Sequence, residues 1–130
     1  IQVAPKLSVS EGHFISEQVR VALVKHINDI SDVTVHIDPE DDEIPNYNSQ
    51  MPDRQTLLRQ LYKNWSGIKQ SEHIKEINLH YLDGQIHIEL LCPLDQFEDL
   101  KLTQALATEI KKKNQGLPFV ASTKLIFYIE

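Results

Sequence analysis

The chain is 130 residues long, 41% hydrophobic and 25% charged, the profile of a folded protein with one ordinary domain or two very small ones rather than a disordered or collagenous chain. Its formal charge of −6 argues against nucleic acid as a partner, since a phosphate-binding surface needs clustered Lys and Arg; the one such cluster, Lys111-Lys112-Lys113, falls near a helix C-terminus and complements the macrodipole there. A single cysteine, Cys92, excludes an intramolecular disulfide and fits a reducing compartment, and no apolar run reaches the roughly 20 residues that span a bilayer.

The elements follow in order. Ile1 to Ala4 reads as the remnant of a strand, and the abrupt start reads as a piece of something longer. Ser8 with Glu11 forms a capping box that opens a helix carrying Ile15, Val19, Ala22, His26 and Ile27 on one face. A strand is predicted over 33–38, with Val33, Val35 and Ile37 on one side and Thr34, His36 and Asp38 on the other. The acidic, proline-broken stretch 40–50 reads as a linker, dividing the chain into 1–44 and 45–130.

Beyond it, Pro52 suits the first turn of a second helix with Leu57, Leu58, Leu61, Tyr62 and Trp65 at helical spacing, a core stripe that Gly67 ends. Asp83-Gly84 then joins strands 74–82 and 85–91 in a hairpin. Asp95 and Glu98 are expected to cap a third helix through Phe97, Leu100, Leu106 and Ile110, stopped by Gly116, and a strand over 122–129 closes the chain. Cys92, among Leu90, Leu91 and Pro93, reads as a small buried hydrophobe rather than a reactive thiol.

Two groups of side chains have the chemistry of metal ligands. His36 and Asp38 at i and i+2 of a strand lie about 7 Å apart on one face, a spacing that serves either two ligands of one divalent ion or an ordinary solvated face. His13, in the first turn of the preceding helix, would be the third, because a helix packing back on a sheet can bring that turn to the strand end. In the hairpin, a two-residue turn sets Tyr81 against Ile86 and His80 against His87, with Glu89 on the same face. That trio is either a second metal site or a solvated face used for pairing. His26, near a helix C-terminus, and His73, in a polar turn, receive no functional role. An enzyme finds little support: there is no glycine-rich phosphate loop, no nucleophile elbow, and no Ser or Cys placed beside the His-Asp pair.

The orders of the elements can be laid over one another. Residues 1–39 run strand, helix, strand, matching the last three elements of the second part, and each helix is entered through a proline, Pro5 or Pro93. An internal duplication is expected, the first copy being partial. Lys101 then stands near the place of His13, and Tyr128 and Glu130 near those of His36 and Asp38.

The stretch Leu7-Ser8-Val9-Ser10-Glu11-Gly12-His13, followed by an amphipathic helix and Asp32-Val33-Thr34-Val35-His36-Ile37-Asp38-Pro39, resembles the cytoplasmic C-terminal domain of cation diffusion facilitator transporters, with Gly12 where alanine is usual. The resemblance implies an α/β, ferredoxin-like βαββαβ-type unit with helices on one face of the sheet, preceded here by a partial copy. It further implies a homodimer beneath the membrane domain of a parent transporter in the cell (inner) membrane, binding Zn2+ or a similar divalent ion at the subunit interface. His13, His36 and Asp38 match family metal positions, and a further family histidine would fall just before Ile1. Which ion is preferred depends on geometry rather than on residue type. The competing expectation is a regulatory module of the same shape that binds a small molecule or a protein partner without metal.

Overall fold

The computed structural model describes residues 1–39 and 50–129, so the expected linker lies almost wholly outside the described residues. The chain divides into two compact units, Ile1–Asn46 and Tyr47–Glu130. The first contains helix α1 (Val9–His26). The second contains α2 (Arg54–Trp65), β1 (Glu76–Leu82), β2 (Gln85–Pro93), α3 (Leu100–Asn114) and β3 (Val120–Tyr128), with short 3-10 helices at Lys69–His73 and Leu94–Gln96.

In the first unit, Ser8 caps α1 by accepting from the Glu11 backbone N–H at 3.2 Å, the expected first half of the capping box. The inward face differs from the expected one: Gly12 is buried and Ile15, Val19 and Leu23 are half-buried, while Ala22, His26 and Ile27 are exposed. The expected strand over 33–38 is reduced to one isolated parallel bridge, Gln2 with Asp38. A ladder needs a partner backbone, and here the partner is residues 1–3: Asp38 N–H donates to the Ile1 carbonyl at 2.8 Å and Val3 N–H to the Asp38 carbonyl at 2.9 Å. The expected alternation survives nonetheless, with Val33, Val35 and Ile37 less exposed than Thr34 and His36.

In the second unit, β1 and β2 pair antiparallel in the expected register, Leu82 with Gln85, Tyr81 with Ile86 and His80 with His87. Asp83 and Gly84 both adopt positive φ, 51° and 68°, which a two-residue type I′ turn requires and which glycine permits without Cβ strain. β3 pairs parallel to β2, so the sheet runs β1-β2-β3. The split βαβ of a ferredoxin-like sheet has a strand between the parallel pair, whereas β2 and β3 bond directly here. Among the described residues the architecture is mixed α+β, three helices and one three-stranded sheet.

Helix starts differ from expectation. Asp53, not Pro52, opens α2, its carboxylate accepting from Thr56 N–H at 2.7 Å, and these hydrogen bonds hold the Asp53 carboxyl below its usual range. Asp99 caps α3 at Lys101 N–H, 2.9 Å, because the segment of Asp95 is taken up by the 3-10 turn 94–96. The core unites Leu57, Leu61 and Trp65 of α2, Ile77 of β1, Ile86, Ile88, Leu90 and Cys92 of β2, and Leu106 and Ile110 of α3. Tyr62 departs from the expected stripe: it is 59% exposed, with its ring edge-on to Trp65 at 5.9 Å. Trp65 Nε1–H donates to buried Asn114 Oδ1 at 2.9 Å, and Asn114 Nδ2 donates to Thr123 Oγ1 at 3.1 Å, tying α2, α3 and β3 through one amide.

Candidate metal centres

The first unit presents His36 and Asp38 at the end of the extended segment. Asp32 starts that segment by accepting from Val33 N–H at 2.9 Å, and its carboxylate also lies 3.7 Å from the Arg20 guanidinium of α1. The Ile1 amine donates to the His36 carbonyl at 2.6 Å, so the backbone on both sides of the pair is held. His36 Nδ1 and Asp38 Oδ1 stand 3.0 Å apart, the imidazole side chain 79% exposed and the carboxylate 24%. A carboxylate at that distance fixes ring orientation and tautomer, and it is itself a hard oxygen donor beside a nitrogen donor.

His13 lies in the second turn of α1, one residue beyond the expected position, and is exposed. Its neighbour Gly12 faces Ile37: a Cβ built on Gly12 would meet Ile37 Cγ2 at 3.7 Å. The helix turn that carries His13 therefore packs against the residue between His36 and Asp38. His36 and Asp38 meet directly, while among the described residues no three His, Cys, Asp or Glu side chains converge on one point.

The second group lies on the sheet face opposite the helices. Alternation along β2 buries Ile86, Ile88 and Leu90 against α2 and α3 and leaves His87 and Glu89 half-buried on the other side. His80 sits opposite His87, and its Nε2 lies 3.4 Å from Glu89 Oε2, with side chains 20% and 16% exposed. That nitrogen is buried and has no hydrogen-bond partner among the described residues. His87 Nδ1 bonds the Ser122 hydroxyl at 2.8 Å. Sequence reasoning missed Ser122 because it reaches His87 only through the parallel β2–β3 register, a non-local pairing with no short-range signal.

The remaining candidates take structural roles. Cys92 is fully buried, and burial pushes its thiol up to about 11. His26 ends α1 with Nδ1 on the Ala22 carbonyl at 2.8 Å, and His73 stacks edge-on with Phe97 at 5.3 Å. A groove beside α2 and β1 is lined by Arg54, Leu58, Tyr62, Lys75, Ile77 and Asn78, together with Glu76; it offers no nucleophile and base pair. No described helix is long and apolar enough to cross a membrane.

In comparison with known proteins, the family described as cation efflux protein, cytoplasmic domain, matches residues 1–40. The resemblance carried by the motifs around His13 and His36 is borne out over that stretch, and the family is not an enzyme family. No curated protein and no solved structure was found to match the chain.

Proposed function

Taking the cation-efflux cytoplasmic-domain match over residues 1–40 as premise, we propose that the chain is a regulatory and dimerisation domain of a divalent-cation efflux transporter, responsive to Zn2+ or a similar ion. The observation that carries the reading is the His36–Asp38 pair, 3.0 Å apart within the matched stretch, beside the α1 turn that bears His13. Three such donors leave one tetrahedral position for water or for a group from a second copy, which is how a site at a homodimer interface is completed. The mechanism is linkage. An ion bound more tightly by one dimer arrangement shifts the population toward it by that difference in affinity, and the membrane domain of the parent protein, in the cell membrane, reads the shift.

The second unit enters this reading as a related copy with the same strand-helix-strand order, the first unit being partial. Aligning the caps Ser8 and Asp99 sets the inward residues Gly12, Ile15, Val19 and Leu23 of α1 against Thr103, Leu106, Ile110 and Asn114 of α3. Each helix also connects two segments that pair in parallel. Calorimetric titration with Zn2+ and Cd2+ tests the metal reading, with sedimentation run in parallel. The expected result is binding that His36→Ala and Asp38→Ala each weaken at least tenfold, together with a zinc-dependent rise in sedimentation coefficient. A wild-type chain that binds neither ion leaves the metal-free regulatory module instead.

A further inference from the structure

The open sheet face of the second unit carries its own ligand geometry. His80 Nε2 is buried without a hydrogen-bond partner among the described residues, yet Glu89 Oε2 lies 3.4 Å away. A buried imidazole nitrogen is ordinarily satisfied, and a carboxylate held so near ordinarily moves in to make the bond. The observed separation is instead that of two donors on one ion: ligands at about 2.0–2.2 Å from a tetrahedral Zn2+ stand about 3.3–3.6 Å from each other. Both side chains are mostly shielded from water, so a cation placed between them would be weakly screened.

A third donor stands across the strand pair. His87 is the direct partner of His80, and directly opposed side chains on one face start from Cβ atoms about 5 Å apart. Its ring is held through Nδ1 on Ser122, an exposed hydrogen bond. That bond points toward β3, so turning the ring toward His80 gives it up, an exchange that exposure to water makes inexpensive. The three side chains do not yet converge, so binding requires His87 to turn toward His80. Lys124 is the register partner of Glu89 on β3, so its ammonium would compete with a bound cation for that carboxylate.

We propose that His80, Glu89 and His87 form a second, independent site for a divalent transition ion on the β1–β2 hairpin, closed by rotation of the His87 ring. Two imidazoles and one carboxylate select Zn2+ or Co2+ over Mg2+ and Ca2+, which demand more oxygen ligands. The site needs no residue of the matched stretch 1–40, so it stands or falls separately from the reading of His36 and Asp38.

The test is titration of the whole chain with Co2+, read by its visible ligand-field bands, and with Zn2+, read by calorimetry and by NMR of the histidine rings. The expected result on a His36→Ala background is one remaining Zn2+ site, with the His80 and His87 ring signals shifting together. Glu89→Gln, isosteric and fold-preserving, and His80→Ala each weaken that site at least tenfold, while Lys124→Ala tightens it. Circular dichroism confirms that each variant is folded. Zn2+ affinity unchanged by Glu89→Gln and His80→Ala, or no binding on the His36→Ala background, overturns the proposal.

Discussion

Gly12 occupies the buried side of α1, where a Cβ would meet only Ile37 Cγ2 at 3.7 Å, an ordinary van der Waals distance. Glycine inside a helix is less favourable than alanine by about 0.8–1 kcal/mol, through the backbone entropy lost on folding. Gly12→Ala is therefore expected to stabilise the first unit by about 0.5–1 kcal/mol, read as slower amide exchange along α1. Cys92 gives a prediction of opposite sign. Burial pushes its thiol from the ordinary value of 9.0 up to about 11, so the neutral, buried form contributes stability that is complete below the lower value and is lost as pH rises toward the upper one. Thermal melts across that window should fall in midpoint more steeply for the wild type than for Cys92→Val. Near neutral pH the thiol should resist alkylation until the chain unfolds, which a thiol-reactive dye measures against denaturant.

At the scale of elements, the hairpin was legible because its signal is local. Asp83-Gly84 dictates both the turn and the register, and the pairing of His80 with His87 follows from counting back along the strands. Helix starts were less legible, since Asp95, Glu98 and Asp99 can all cap, and only the 3-10 turn at Leu94–Gln96 selects Asp99. The Trp65–Asn114–Thr123 chain was not legible at all. A polar residue near the end of α3 reads as solvated until α2 and β3 are packed around it. Asn114→Ala leaves the Trp65 N–H buried and unsatisfied, a penalty of about 1–3 kcal/mol before any cavity is counted. The expected outcome is a drop of that size in unfolding free energy by urea titration.

For the whole molecule, all of the buried apolar side chains among the described residues, from Leu57 to Ile110, belong to the second unit. Among its described residues the first unit buries only Gly12 and has one isolated bridge where a ladder was expected. Stability therefore concentrates in the second unit. Native-state hydrogen exchange should show α3 and β2 protected up to the global unfolding free energy, and α1 opening at a lower one. Equal protection of α1 and α3 would contradict that division.

The sequence by itself determined what depends on neighbours along the chain: the helix carrying His13, the alternation that exposes His36, the hairpin register, the burial of Cys92, and the motif whose family match covers residues 1–40. Those features rest on side-chain periodicity, capping and turn chemistry, which act over a few residues. Only the tertiary structure decided the rest. It joined β2 to β3 directly, paired the end of residues 33–38 with residues 1–3, set Ser122 beside His87, and brought His80 Nε2 to 3.4 Å from Glu89 Oε2. Each of these is a contact between backbones or side chains distant in sequence, and the free energy that selects it comes from closing the chain around a common core.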